Sequence, residues 1–408
     1  MNGLVVHFLG TITPREDVDR LGAKDRYPHT PANELQWSYV EALRGAGLGA
    51  LHLFAAPAVS EFPRYPKILV SGRSLDLRRD AGITFIPCIN LTGLKQVTQL
   101  LAAVVRMAPR LWRSRKARSV VLVYSLQSPF LMAAFLYRAL LGVPVVVIIP
   151  DLSEYMDLKG RSGGLRALLK SVDVRLGRRL LARVDGAIVV ARAIAAERLA
   201  PRTRYLVVDS IRDAGGVPSG AAAAPPPSSA KRSILYSGGL FVEYGVATLL
   251  DAFASLEDPD CELWLAGKGD LEPTIRRRME GDRRIRFFGH LPLGELRALQ
   301  SRASLLVSVK PSGEPFTRFS FPSKITEYMA SGRPAASTAC PAIDEEYFQY
   351  VHRLADESPE AMRQSIEEVF RLPPDERMRR AREGVAFLRK TRSPTARGRD
   401  LVEFLGSF

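Results

Sequence analysis

The stretch Phe321-Pro322-Ser323-Lys324-Ile325-Thr326-Glu327-Tyr328-Met329-Ala330-Ser331-Gly332-Arg333-Pro334 decides the reading of this chain. Its first four residues open a helix, and a buried strand follows Pro334. Ser323 and Lys324 fall in the first helical turn, where free backbone N–H groups, the positive helix end, a hydroxyl and an ammonium converge. Lysine is ordinarily unfavourable at that end, so its position predicts a bound anion. Glu327, one turn on, is placed to accept hydrogen bonds from a sugar diol. A plain i,i+3 Lys–Glu surface pair is the alternative. Lys310 and Arg318 add positive charge nearby in sequence.

Upstream, three further strand ends carry glycine. Tyr236-Ser237-Gly238-Gly239-Leu240 lets backbone N–H groups approach an anionic ligand, with a tight turn as the plainer reading. Leu265-Ala266-Gly267-Lys268-Gly269-Asp270 is half a dinucleotide fingerprint without the full spacing, and Phe287-Phe288-Gly289-His290-Leu291-Pro292 ends the third strand. Strands Ile234–Ser237, Glu262–Ala266, Ile285–Phe288, Leu305–Val309 and Pro334–Ser337 alternate with helices Val246–Ser255, Glu272–Met279, Leu293–Ser301 and Ser323–Ser331.

The first half repeats this alternation. Continuous apolar runs at Leu4–Leu9, Leu48–Phe54, Ile68–Val70, Ile83–Pro87, Val120–Tyr124, Val143–Ile149, Ala187–Val190 and Tyr205–Val208 predict strands covered on both faces, as in parallel α/β sheets. Helical patterns run over Asn33–Ala46, Thr98–Ala108 and Leu165–Leu181. Between the halves, Gly215-Gly216-Val217-Pro218-Ser219-Gly220 and the alanine, proline and serine runs after it have the composition of a linker. A length of 408 residues suits about two α/β domains. The expected organisation is a Rossmann-like domain over 1–211, a linker over 212–232, a second Rossmann-like domain over 233–375, and helices over 376–408 that cross back to the first. Open α/β sheets bind ligands beyond the carboxyl ends of their strands, which places the active site in a central cleft.

Hydrophobic residues at 46% and charged residues at 25% exclude a disordered chain. The net charge of +15 is uneven: residues 1–211 hold 30 Lys and Arg against 16 Asp and Glu, and the rest hold 28 against 27. Two segments concentrate it, Arg106 to Arg118 and Lys159 to Arg183. Such basic amphipathic stretches rest on an anionic membrane surface or form a solvated basic face. No nucleic-acid-binding motif accompanies them. Phe130 to Ile149 is long enough to span a bilayer, but Arg138 and Gly142-Val143-Pro144 interrupt it, which predicts a buried helix, a tight turn and a buried strand. Cys88, Cys261 and Cys340 lie too far apart in sequence for a disulfide framework or a cysteine-zinc site, as in a reducing compartment. The first residues lack a basic n-region and cleavage site. Together these point to a cytoplasmic protein, peripheral on the inner face of the plasma membrane.

The order of the glycine loop, Gly267-Lys268-Gly269-Asp270, Phe287-Phe288-Gly289-His290-Leu291 and the Phe321–Pro334 stretch resembles glycosyltransferase family 4, in its bacterial cell-wall, capsule and exopolysaccharide branch. The resemblance covers roughly residues 233 to 372, and Pro150-Asp151-Leu152-Ser153-Glu154-Tyr155-Met156 also resembles that branch. It implies an α/β GT-B fold of two Rossmann-like domains, metal-independent transfer from a nucleotide sugar, and retention of configuration. By position, Gly289, His290 and Leu291 contact the base and Glu327 holds the ribose. Ser323, Lys324 and the Gly238-Gly239 loop hold the diphosphate, and Asp151 falls near the transferred sugar. The family pattern of a glutamate, seven residues and a second glutamate departs here, because Phe319 occupies the first position. Glu314 is the candidate substitute. Gly239 and Tyr244 stand where the family has an arginine and a lysine, leaving Lys310, Arg318 and Lys324 as the cations that stabilise the leaving diphosphate.

The first domain is expected to hold the acceptor. Gly10-Thr11-Ile12-Thr13 approaches the donor phosphates, and Tyr27-Pro28-His29-Thr30-Pro31-Ala32-Asn33 lines the acceptor pocket, with His29 either a loop histidine or a base. The Asp-x-Asp triplets at Asp17 and Asp258 read as surface charge, and the histidines show no metal-ligand spacing. The chain thus reads as a retaining glycosyltransferase that moves a sugar from a UDP- or GDP-linked donor, its co-substrate, to a lipid-linked or polysaccharide acceptor, with no cofactor or metal. A sugar-nucleotide epimerase on the same fold, or a non-catalytic nucleotide-sugar-binding scaffold subunit, are the alternatives.

Overall fold

Val145-Val146-Val147-Ile148-Ile149 is buried at every position, as a strand covered on both faces of a parallel sheet must be. It belongs to the first of two units in a computed structural model that describes residues 3–22, 25, 30–75, 77, 82–152, 165–214, 231–356 and 358–408. Tyr27-Pro28-His29, Ser153 to Met156 and most of the linker stretch lie outside the described residues.

The first unit comprises Met1–Ile211 and Pro394–Phe408. Its elements are β1 (Val5–Gly10), α1 (Arg15–Gly22), α2 (Thr30–Arg44), β2 (Ala50–Ala55), β3 (Leu69–Val70), β4 (Ile83–Phe85), β5 (Cys88–Ile89) and α3 (Leu94–Arg113). Then come β6 (Ser119–Tyr124), α4 (Ser128–Leu141), β7 (Val145–Ile149), α5 (Leu165–Leu181), β8 (Gly186–Val189), α6 (Arg192–Arg198) and β9 (Arg204–Val207). Seven strands form a sheet in the order β4-β2-β1-β6-β7-β8-β9, parallel throughout.

The Phe130–Ile149 run resolves into α4, a Gly142 cap at φ 68°, and β7. Glycine is suited to that left-handed position, which ends the helix. No helix among the described residues is long and apolar enough to cross a membrane. Two expectations are corrected. Ile68–Val70 does not join the main sheet: Leu69 and Val70 pair antiparallel with Ile89 and Cys88 in a two-stranded ribbon. Asp17 is not surface charge; it is 5% exposed and pairs with Arg20 at 2.6 Å.

The second unit, Arg212–Ser393, contains β10 (Arg232–Gly239), α7 (Val246–Ala254), β11 (Cys261–Lys268), α8 (Glu272–Gly281), β12 (Ile285–Gly289), α9 (Leu293–Arg302) and β13 (Leu305–Ser308). It continues with α10 (Lys324–Ala330), β14 (Ala335–Thr338), β15 (His352–Leu354), α11 (Pro359–Arg371) and α12 (Pro374–Thr391). Its six strands run parallel in the order β12-β11-β10-β13-β14-β15. The last helix, α13 (Pro394–Leu405), belongs to the first unit. There Leu401 and Leu405 share a core with Val6, Tyr39, Val40 and Leu43. Arg397 pairs with Asp209 at 2.6 Å with both side chains largely buried. A Cβ on Gly398 would lie 2.3 Å from the Ala42 carbonyl oxygen, so this glycine sets how closely α13 approaches α2.

Candidate functional site

In each sheet the strand order reverses at one strand. β1 has β2 on one side and β6 on the other; β10 has β11 on one side and β13 on the other. Helices leave such a switch point in opposite directions, and the crevice they open at the carboxyl ends binds ligands.

In the second unit, Gly238 and Gly239 end β10, and the chain after β13 leads to α10. The loop after β11 lies against that after β10: a Cβ on Gly267 would stand 1.8 Å from the Gly238 carbonyl oxygen, and one on Gly269 would stand 2.1 Å from that of Leu240. The part-fingerprint glycines thus serve loop packing. A Cβ on Gly238 would stand 3.5 Å from Lys324 Cε, so the lysine stem runs beside the glycine loop. Lys324 Nζ lies 3.0 and 3.2 Å from the two Glu327 carboxylate oxygens. Gln300 Nε2 donates to Glu327 Oε1 at 2.8 Å and lies 3.4 Å from Ser237 Oγ. The buried Tyr328 hydroxyl accepts the Ser237 N–H at 3.1 Å and donates to the Ser237 carbonyl at 3.2 Å. One network therefore ties α10 to the end of β10. The i,i+3 pair exists, but its side chains are only 30% and 26% exposed and it is braced from α9.

Burial pushes the Glu327 carboxyl up, yet the Lys324 charge, the Gln300 and Lys324 hydrogen bonds and Arg212 outweigh that and hold it below the usual carboxylate range. The site thus offers an ionised acceptor and a cation beside bare backbone, which suits a diol attached to a phosphate.

The second unit's other expected donor residues end or follow β12 or lie between β13 and α10. Ser323 is exposed just before α10, and its hydroxyl makes no capping bond. Gly289 ends β12 at φ 65° with open space where a Cβ would be, followed by an exposed His290 and a half-buried Leu291. Lys310 Nζ lies 3.2 Å from Ser320 Oγ and 4.9 Å from the Phe316 ring centre. Arg318 is exposed over the Phe319 ring at 5.8 Å, and Glu314 is exposed, its carbonyl accepting the Thr317 N–H at 3.0 Å. Phe319 is 3% exposed, so an apolar ring fills the position where the resemblance expects an acid.

In the first unit, a Cβ on Gly10 would lie 2.4 Å from Gln36 Oε1, which accepts the Thr11 N–H at 2.8 Å. Asn33 is buried and spends its amide on Thr13, at 2.8 Å to the N–H and 3.0 Å to the carbonyl. It fixes the loop after β1. Asp151, half-buried after β7, acts through its charge on Tyr124 at the end of β6. Beside this loop opens a cavity of about 250 Å³, lined by Thr11, Glu61, Lys95, Gln127, Ser128 and Asp173 among others. The Ser128 hydroxyl donates to Asp173, and Lys95 Nζ donates to the Val59 carbonyl at 2.7 Å. Burial lowers the Lys95 pKa, partly offset by Cys88, Glu61 and Asp25. Sequence reading missed these side chains. The one local signal was Gln127-Ser128-Pro129, which opens a helix just past an apolar strand.

Residues 231–371 match the family Glycosyl transferases group 1. A comparison with curated proteins finds no match. Several solved structures are similar over nearly the whole chain. A glycosyltransferase from Rickettsia africae has a TM-score of 0.63 at 13% identity, covering 100% of this chain and 99% of that one. Anabaena HepE in complex with UDP gives 0.59 at 14%, covering 99% and 100%. The lipopolysaccharide outer core galactosyltransferase WaaB in its apo form gives 0.57 at 12%, covering 99% of each. The chain takes the GT-B fold of two parallel-sheet units, and residues 231–371 of its second unit match the group 1 glycosyltransferase family.

Proposed function

We propose that the protein transfers a sugar, with retention of configuration, from a nucleoside diphosphate sugar held by the second unit to a hydroxyl of a lipid-linked or polysaccharide acceptor held by the first, at the inner membrane face. The observation that carries this is the Lys324–Glu327 pair beside Gly238 at the β10–β13 switch point. A diphosphate competes for the Lys324 ammonium and the Gly238-Gly239 backbone, while a ribose diol competes for Glu327. Ser323 borders the diphosphate, and Gly289 to Leu291 border the base. As the anomeric C–O bond breaks, negative charge develops on the leaving diphosphate, and Lys324, Lys310 and Arg318 stabilise it. Gly10, Asp151 and the cavity beside Thr11 are the first unit's share of the reaction, the cavity taking the acceptor. The UDP bound to HepE supports a UDP-linked donor.

The test is a panel of UDP- and GDP-sugars, read by thermal shift for binding and by nucleotide release for turnover, on wild type, Lys324→Ala and Glu327→Ala. Wild type is expected to bind and release one nucleotide, and each variant to lose roughly a hundredfold in release. Absence of binding to every donor, or variants that match wild type, would overturn the site. The buried Phe319 favours a second reading, a nucleotide-sugar-binding subunit without catalysis. Binding without release, with every acceptor class supplied, would establish that reading instead.

A further inference from the structure

Helix α3 buries Gln99, Ala103, Met107 and Leu111 along one face. Its opposite face carries Leu94, Val97, Leu101, Val105 and Trp112, exposed by 48 to 69%. Their spacing places them in one stripe along the helix. On α4, Met132, Leu136 and Leu140 form a second exposed row, one turn apart. The connections over α3 and α4 advance in the same direction across the sheet, so right-handed crossovers put both helices on one side of it. They pack against each other, with the Tyr137 hydroxyl donating to the Val104 carbonyl. Scattered surface apolar residues need no explanation, but two aligned rows on neighbouring helices do.

The charge around the rows identifies what covers them. Residues 81–150, which contain both helices, hold eight Lys and Arg and no Asp or Glu. Arg106 and Arg113 flank the α3 stripe, and Arg115, Lys116 and Arg118 are exposed just past its end. The Arg115 guanidinium lies 4.5 Å from the Trp112 ring centre, which puts an interface-seeking aromatic and a cation together at one end of the stripe. A second copy would bring the same excess positive charge, and an acidic protein would leave the apolar rows without a reason to be continuous. A surface both apolar and anionic answers both features.

We propose that the α3–α4 face of the first unit docks on a bilayer containing anionic lipid, the apolar rows entering the acyl boundary and the flanking cations meeting headgroup phosphates. This deepens the membrane side of the proposed transfer reaction, but it stands or falls on lipid binding alone. The experiment is vesicle cosedimentation of the full chain with phosphatidylcholine alone and with added phosphatidylglycerol. The variants are Leu101→Glu/Val105→Glu and Arg113→Gln/Arg115→Gln/Lys116→Gln. Wild type is expected to bind the anionic vesicles at least roughly tenfold better than the neutral ones, and both variants to lose about tenfold with melting temperatures unchanged. Trp112 fluorescence should shift to the blue on binding, and the shift should vanish in Trp112→Phe. Release of nucleotide from a water-soluble donor should stay at the wild-type rate in both variants, which separates failure of docking from failure of catalysis. Wild type that ignores anionic vesicles, or an apolar variant that binds them equally, overturns the proposal. So does a concentration-dependent dimer lost in Leu101→Glu/Val105→Glu without lipid binding, since a second copy then covers the face.

Discussion

His7 lies in the middle of β1 with no exposed surface, its Nε2 2.9 Å from Ser114 Oγ and its ring 5.2 Å from that of His52. Burial first, then His52 and Arg110, push its pKa down to about 3. In the unfolded chain a histidine takes a proton near 6.5, so between those values the unfolded state binds more protons and stability is lost as the pH is lowered. His352, lowered to about 4 by burial, Arg380 and Arg377, acts with the same sign in the second unit. The His7 contribution is complete above pH 6.5, and about 2 kcal/mol of it is lost by pH 5. Calorimetry of wild type and His7→Gln between pH 7 and 5 checks this. The first-unit transition should move to lower temperature as the pH is lowered in wild type and much less in the variant, and equal slopes would refute it. Glu327 responds at lower pH and with the same sign: its depressed pKa gives stability above the ordinary carboxylate range that disappears as pH falls through it. None of this was legible in the sequence, where His7 is one polar letter within an apolar strand and the groups around it are distant in sequence.

At the scale of elements, the meeting of β10 and β11 allows a sharper test. Gly267 pairs with Gly238 in register, and any side chain there would overlap the Gly238 backbone. Gly267→Ala must therefore move one loop away from the other. The expected result is a loss of about 1–3 kcal/mol in the second unit, with loss of nucleotide binding because the loop beside Lys324 shifts. Chemical denaturation and thermal shift with nucleotide measure the two effects; wild-type values in both would refute the packing role. Period and composition showed the strands well, since apolar runs such as Val120–Tyr124 and Ala187–Val190 have no charged residue that could face water. They failed where tertiary contacts decide. β15 reads as His352-Arg353-Leu354, yet it completes a sheet edge. Helix α3 runs through Pro109, where the sequence predicts an end, because Met107 and Leu111 are buried on either side. At the candidate site, Lys324 and Glu327 were legible from helix spacing, but Gln300 and Ser237, which brace Glu327 and anchor Tyr328, come from other elements and left no local signal.

For the whole molecule, the first unit is discontinuous, since α13 follows the entire second unit in sequence. Deleting residues 394–408 removes Leu401 and Leu405 from the first core and leaves Asp209 without Arg397. Burying each leucine is worth roughly 2–5 kcal/mol, so the two together approach the whole stability of an ordinary domain. The truncated chain should lose the first-unit calorimetric transition and become protease-sensitive before residue 211, while the second unit keeps its own transition. Both units melting together, or neither changing, would contradict this. During synthesis the same arrangement inverts the usual order, in which the domain translated first folds first. The half that leaves the ribosome early waits for residues 394–408, which follow the second unit, and the intervening half completes itself meanwhile. A ribosome halted a tunnel length past residue 393 should therefore display a finished second unit, with the first still dependent on chaperones.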